Sequence, residues 1–332
     1  VGAPRGTRVE GTGRDAPFIG RNEEMAQLRK LWDKACSGSG SHVLIDGDTG
    51  SGKSRLVDEF VDGIDGGRVF RAMCRRYRAS TPYFAATLLL GEILGIDRYA
   101  TEGSEQRLID IVGQFAPDLL PYVSLIGTAL GIEIPDSPEV AALAQEFRKP
   151  RLEDSVTALL GALLPEPSVM WVDDAQWLDD ASRELFSALA TKNGHPWLLC
   201  VSGRGITSSD ASGGTGPLTI TLPPLSDAEA TMIVHSCTDE SPLAPHVSKA
   251  IVDRAAGNPM FLNHLIAAAG STDVVALPES IEGVVAARID RLLPDERNLL
   301  RRLSVLGTGF RPEYADVVLD EKVSPTLLKR LA

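Results

Sequence analysis

Scarce cysteine, scattered histidine, a deficit of basic charge and the lack of any long apolar run exclude several classes of protein. The 332-residue chain has four cysteines, Cys36, Cys74, Cys200 and Cys237, far apart and with no Cys-x-x-Cys pair. A zinc site or a disulfide framework is therefore unsupported, and reduced, packed thiols in a cytoplasm are expected. The five histidines are equally dispersed and form no His-Glu-x-x-His, the spacing that would place two zinc ligands on one helix face. No apolar stretch reaches the roughly 18 residues that a bilayer crossing needs; the nearest, Phe84 to Ile96, is broken by Glu92. The chain therefore reads as soluble, with no membrane partner. A formal net charge of -12 argues against a general polyanion-binding surface, because affinity for a phosphate backbone comes largely from Lys and Arg. No direct nucleic-acid binding is expected of this segment. There is no signal peptide and no internal repeat. Val at the first position and an apolar-periodic run that breaks off over Leu327 to Ala332 suggest a piece of a longer protein.

What is present is globular. Apolar residues make up 43% and charged residues 23%, close to the soluble average, and the length allows two domains or one large domain with an appendage. Residues 1–16 are rich in Gly, Arg and small polar residues without apolar periodicity, which is how a linker reads. From Asn22 to Lys34, Met25, Leu28, Leu31 and Trp32 recur at helical spacing behind Glu23 and Glu24, predicting an amphipathic helix. Val43 to Ile45 is a short β-branched run of the buried parallel-strand type. Further strands are expected at Val69-Phe70, Val169 to Val172, Leu198 to Val201 and Leu218 to Leu222, with a helix after the first strand and a mostly helical insert over 84–164. That alternation predicts an α/β fold, a parallel sheet flanked by helices. Ser208 to Gly216 reads as a polar loop. From Ser226 the pattern is helical only, opening on the capping box Ser226-Asp227-Ala228-Glu229, and a boundary follows near residue 223. Ile281, Val284, Val285, Ile289 and Leu292 predict one late helix, and Leu299, Leu303 and Leu306 another.

Two motifs carry chemistry. Gly47-Asp48-Thr49-Gly50-Ser51-Gly52-Lys53-Ser54 matches the phosphate-loop pattern in full, between a predicted strand and a predicted helix. Glycines at 47, 50 and 52 let the backbone wrap phosphate oxygens so that successive N–H groups and the helix N-terminus face the anion. In this pattern Lys53 bridges the β- and γ-phosphates and the Ser54 hydroxyl ligates Mg2+. The apolar strand Val169 to Val172 ends in Asp173 and Asp174, the form of a Walker B element. A carboxylate at the strand tip, Asp173, can hold magnesium through water, and its neighbour Asp174 can orient or deprotonate the attacking water; a solvated strand cap is the alternative. Ser202-Gly203-Arg204 closes the next strand, and Arg204 is placed to sense phosphate, since the carboxyl ends of parallel strands open on the ligand crevice. The nucleotide is expected to be ATP: Thr191-Lys192-Asn193-Gly194 lacks the aspartate with which Asn-Lys-x-Asp GTPases read guanine.

Phe18-Ile19-Gly20-Arg21-Asn22-Glu23, the phosphate loop with Arg55-Leu56 behind it, Val172 to Asp179, and Gly257-Asn258-Pro259-Met260-Phe261-Leu262 resemble the signal-transduction ATPases with numerous domains. More narrowly, from about residue 17 onward the chain is similar to the origin-recognition-complex-like AAA-type module that follows bacterial class III adenylate cyclase domains or opens large LuxR-type regulators. Val1 to Arg8, Tyr77 and Thr81-Pro82-Tyr83-Phe84 look more like the cyclase-linked branch. The resemblance implies a nucleotide domain over 17–222, a helical lid over 223–275 and a truncated winged-helix domain over 276–332, entered through Leu277 to Ile281 and serving intramolecular packing. It implies nucleotide contacts from Ile19, Arg55 and Pro259; the alternative for Gly257-Asn258-Pro259 is a plain helix-breaking turn. It also implies a slow, regulatory ATPase whose partners are ATP and ADP, signalling domains of the same parent protein, and copies of itself in a nucleotide-dependent way. Two departures stand out: Asp174 replaces the Glu of many AAA proteins, and no arginine can be assigned as a finger for a neighbouring subunit. A small-molecule kinase built on the same loop and a scaffold that binds nucleotide without hydrolysis remain alternatives.

Overall fold

The structure, a computed structural model, describes residues 17–97, 103–191, 194–206, 217–239, 242–269 and 292–306, with single positions at 280, 283, 286, 289, 315, 318 and 319. It divides into two compact units, Arg21–Pro223 and a second comprising the segment up to Gly20 together with the residues from Pro224 on.

The first unit runs α1 (Asn22–Cys36), β1 (Ser41–Asp46), α2 (Lys53–Asp62), β2 (Arg68–Met73), α3 (Phe84–Leu94), α4 (Ser104–Phe115), α5 (Val123–Leu130), α6 (Pro138–Ala141), α7 (Gln145–Leu163), β3 (Ser168–Asp173), α8 (Asp180–Thr191), β4 (Trp197–Gly203) and β5 (Leu218–Thr221). The strands form one five-stranded sheet in the order β2-β3-β4-β1-β5, parallel throughout. All residues of β3 and β4 are buried, as expected of central strands covered by helices on both faces. Alternation then sorts their side chains. Met170, Val172, Leu199 and Val201 join the cluster built with α3, α5, α7 and α8. Val169, Trp171, Leu198 and Cys200, also buried, point to the opposite face. There α1 and α2 meet through Trp32 and Phe60, whose rings pack edge to face at 6.5 Å.

The apolar run over Phe84–Ile96 becomes α3, which is buried almost all round; such a helix belongs to a core as readily as to a membrane. Among the described residues no helix is long and apolar enough to cross a bilayer. Glu92 on α3 accepts the backbone N–H of Arg71 at 2.7 Å, blunting the outer edge of β2 where a ladder partner is missing. Arg21 ties the two ends of this unit together: one guanidinium nitrogen donates to the carbonyl of Pro223, the other to Glu24 at 3.3 Å.

The second unit is helical where described. α9 (Asp227–Cys237) starts with the full capping box of Ser226 and Glu229. α10 (Pro245–Ala255) and α11 (Pro259–Ala269) pack with it around Leu225, Val234, Ile251, Leu262 and Leu265, and Ile19 packs on the same cluster. That contact draws Pro17–Gly20 out of the sheet unit, in which the sequence boundaries had placed them. A separate small cluster joins Leu303 of α12 (Pro294–Leu303) to Ala315 and Leu319, with Leu299 and Leu306 packed on it. Most of the helix expected over Ile281 to Leu292 falls outside the described residues, as do residues 1–16, Leu277 to Glu279 and Ser208 to Gly216.

All four cysteines are free. Cys74 and Cys200 are buried, whereas Cys36 and Cys237 are exposed rather than packed as expected. Burial pushes the Cys74 and Cys200 thiols up to about 12, which keeps them protonated and inert.

One buried carboxylate joins the helical insert to the sheet. Asp179, immediately before α8, accepts the N–H of Tyr83 and of Ser182 at 2.8 Å each and that of Ala85 at 3.3 Å. It thereby caps α8 and anchors the start of α3 at once. Asp179→Ala is expected to lower the stability of this unit by about 3 kcal/mol, because three backbone donors lose a charged acceptor. A urea-unfolding midpoint unchanged from wild type would show that this carboxylate is dispensable.

Candidate functional site

The glycine-rich loop leaves β1 at its carboxyl end and runs into α2. Gly50 and Gly52 have φ of 80° and 95°, values that side-chain-bearing residues rarely adopt. Gly47 is needed for a different reason, since a Cβ there would lie 2.7 Å from Ser51 Oγ and 3.2 Å from Leu222 Cβ. The Lys53 ammonium folds back over this loop and donates to the carbonyls of Gly47 at 2.7 Å and Asp48 at 2.9 Å. Ser51 Oγ is buried and has no hydrogen-bond partner among the described residues, an orphaned polar atom of the kind that an anion or water satisfies. Burial draws the Lys53 ammonium below the ordinary lysine range, while the carboxylates of Asp173, Asp174, Asp46 and Asp48 oppose that shift. Thr49 is exposed on the loop, and Arg55, one turn into α2, pairs with Glu59 at 3.3 Å.

The loop meets the tip of β3 although 119 residues separate them. Ser54 Oγ lies 3.2 Å from Asp173 Oδ1 and 3.0 Å from Oδ2. Asp173 is 2% exposed and is surrounded by donors: Ser202 Oγ at 2.8 Å, the Asp174 N–H at 3.0 Å and the guanidinium of Arg71. The Ser202 hydroxyl is in turn aimed by the Trp171 indole N–H at 2.9 Å. Hydroxyl and carboxylate oxygens are the hard donors that magnesium takes, with water completing its octahedron. The residues present therefore fit a magnesium-nucleotide group.

Asp174 follows with φ 56° and ψ 39°, a left-handed conformation that aspartate tolerates better than most residues and that recurs at functional sites. Gln176 Nε2 donates to its carboxylate at 3.1 Å. The other end of the same amide accepts the N–H of Arg204 at 3.1 Å. Arg204 thus sits just past β4, at the same end of the sheet as the loop, with an exposed side chain. Asp46, the last residue of β1, accepts the N–H of Gly205 at 2.7 Å.

The structure brings together Gly47–Ser54, Asp173 and Asp174, with Arg204 at the next strand end. Ile19 and Pro259 belong to the second unit. Pro259 is the first residue of α11, and Asn258 Oδ1 accepts the N–H groups of Met260 and Phe261 at 3.1 Å each, so Asn-Pro here is a helix start. Gly257, with φ 73°, accepts the Leu225 N–H at 2.8 Å, and a Cβ there would lie 2.5 Å from Leu225 O. Of the stretch Thr191–Gly194, residues 192 and 193 lie outside the described residues.

Three contributors escaped the motif-based reading: Arg71, Gln176 and Ser202. The strand expected from the sequence, Val69-Phe70, stops just short of Arg71. Nothing in the sequence says which partner it takes.

With this geometry in view, the family model described as the AAA ATPase domain matches residues 17–201. An uncharacterized protein of Rhizobium meliloti (strain 1021) is 25% identical over 331 residues, 95% of this chain and 31% of that relative's own length. The chain thus spans under a third of it. Among solved structures, a signal-transduction ATPase with numerous domains and a tetratricopeptide repeat sensor, from Pyrococcus horikoshii, is similar at 16% identity. That likeness covers 95% of this chain and 40% of the other, with a TM-score of 0.55. The Drosophila origin recognition complex bound to DNA is similar at 12% identity over 95% of this chain and 78% of the other, with a TM-score of 0.50. These likenesses show the fold, a P-loop α/β sheet flanked by helices. The family match covers more than half of the chain, and the phosphate loop and strand-tip carboxylates lie inside it: the protein belongs to the AAA ATPase domain family.

Proposed function

We propose that this module is an ATP-driven switch within a larger signalling protein, binding Mg-ATP at the Gly47–Ser54 loop and hydrolysing it slowly. The observation that carries the reading is the meeting of Ser54 with Asp173 at 3.0 Å, which joins the phosphate-binding loop to the strand-tip carboxylate. Magnesium, when bound with ATP, supplies charge neutralisation across the β- and γ-phosphates. The loop N–H groups and the start of α2 hold the phosphates. Lys53, held only by two neutral carbonyls, turns to the stronger anionic acceptors. Ser54 and Asp173 would hold the ion, and Asp174 would align and deprotonate the attacking water. Arg204 reads the γ-phosphate, while Ile19, Arg55 and Pro259 contact the nucleotide. Two features support slow turnover: the shorter acid at position 174, and the grip of Gln176 on its carboxylate, which that carboxylate must loosen to act as a base.

The helical segment 223–275 acts as the lid and 276–332 as a winged-helix-like packing element, so that the nucleotide state is passed to other domains of the parent protein. The resemblance of Val1 to Arg8, Tyr77 and Thr81-Pro82-Tyr83-Phe84 favours a cyclase-linked parent over a LuxR-type one. Self-association in one nucleotide state belongs to the same reading. Net charge of -12 weighs against carrying DNA binding over from the origin recognition complex. A kinase built on this loop would need an acceptor; ATP hydrolysis that needs no second substrate distinguishes the switch.

Lys53→Ala is expected to weaken ATP binding about 100-fold, the loss of one charge-assisted contact worth roughly 2–3 kcal/mol, in a protein that stays folded. Unchanged affinity by calorimetry would remove the loop assignment. Excess ATP should displace a labelled ATP analogue far better than excess GTP, and equal displacement would overturn the choice of adenine. The two carboxylates should separate. Asp173→Asn weakens magnesium-dependent binding, whereas Asp174→Asn leaves ATP bound and slows single-turnover hydrolysis by about 100-fold or more, since an amide cannot take the water's proton. Wild-type turnover in Asp174→Asn would end the role given to that residue.

A further inference from the structure

Arg71 stands on β2, an edge strand, where an arginine facing water would be unremarkable. Its guanidinium instead lies over the Trp171 ring, 3.6 Å from the centroid, with Nη1 3.4 Å from Asp58 Oδ1 of α2 and Nη2 donating to Asp173. Strand register sets this up, because Arg71 pairs with Trp171 and both project to the face on which α2 packs. The placement is not one that simply satisfies the guanidinium, whose Nε is buried without a hydrogen-bond partner among the described residues. The head group gives up water at that nitrogen while reaching Asp173.

We infer that Arg71 is a positioning residue for magnesium: it neutralises Asp173 when no ion is bound and competes with the ion for that carboxylate, setting the magnesium level at which nucleotide is taken up. This rests on the reading that Asp173 faces the ion. A carboxylate 2% exposed needs a countercharge, and a guanidinium never loses its proton to relieve the conflict with an incoming cation. Like charges at such range oppose each other. Asp58 and Trp171 make the exchange feasible, because they keep the guanidinium paired and stacked after Asp173 has turned to the ion's water shell. Competition for one carboxylate is reciprocal: what magnesium loses to Arg71, Arg71 loses to magnesium.

The test uses the full chain and a fluorescent ATP analogue titrated against free Mg2+, together with the melting temperature in EDTA without nucleotide. Arg71→Gln is expected to lower the Mg2+ midpoint about tenfold, by removing one opposing charge. It should also lower the melting temperature in EDTA by several degrees, because Asp173 is left unpaired. Asp58→Asn should move the midpoint the other way, by a few-fold, because Arg71 then has only Asp173 to hold. In the double variant that rise should vanish, the mark of a shared partner. A lower melting temperature with an unchanged or higher Mg2+ midpoint in Arg71→Gln would show a merely structural arginine and overturn the inference. Should Arg71→Gln fail to fold, an unchanged or lower midpoint in Asp58→Asn would overturn it equally. A wild-type protein that binds the analogue at no Mg2+ level would instead overturn the nucleotide reading beneath it.

Discussion

The burial of one negative charge governs this site. Asp173 ends a strand whose residues are all buried, in the middle of a parallel sheet, and its carboxylate is 2% exposed. Desolvating a carboxylate so completely is tolerable only if its lone pairs are filled and its charge is answered. The neighbouring elements supply what is needed: Ser54 from the start of α2, Ser202 from β4, the Asp174 N–H from the turn that follows, and Arg71 from β2. Hydrogen bonds to charged groups are worth roughly 1.5–3 kcal/mol each, so the set offsets the desolvation and fixes how α2, the edge strand and the central strands meet. The hydroxyl that ligates magnesium in phosphate loops is one of these donors. Under the proposed function, structural satisfaction and ion binding would draw on the same atoms.

That sharing explains which parts of the site were legible in the sequence. The loop is specified by local geometry: residues 50 and 52 demand positive φ, and position 47 has no room for a Cβ, so the pattern of glycines is itself the signal. Asp173 and Asp174 were legible only together with the loop, because an apolar strand ending in acids is by itself as readily a solvated strand cap. The strands and the capping box of α9 followed from periodicity and capping chemistry, which act over a few residues. Arg71 and Ser202 were not legible as partners of Asp173, because strand order is a tertiary fact. Only the sequence β2-β3-β4-β1-β5 places β2 and β4 on either side of β3 and so delivers both side chains to its tip. Gln176 lay inside a recognised motif, but its bridge between Asp174 and the Arg204 N–H depends on where β4 ends.

The motifs differ in how much of themselves the fold consumes. Gly257, Asn258 and Pro259 have complete local explanations: a backbone approach to Leu225 too close for a side chain, an N-cap that accepts two N–H groups, and a proline at the first helical position. A nucleotide contact by Pro259 would be additional to these duties, so the motif would persist in a protein that had lost its ligand. The same holds for Asp179, spent on three backbone donors. Ser51 is different, with a buried hydroxyl that nothing among the described residues satisfies. Lys53 is different as well, its ammonium resting on two neutral carbonyls amid four carboxylates that favour its charge. Asp174 adopts a left-handed backbone with no side-chain cap hydrogen bond to the turn that follows. A group already fully engaged in holding the fold together says little about chemistry. The under-satisfied Ser51 hydroxyl and the Lys53 ammonium converge on the loop, and that unmet hydrogen bonding, more than any single motif, supports the proposal of a ligand there.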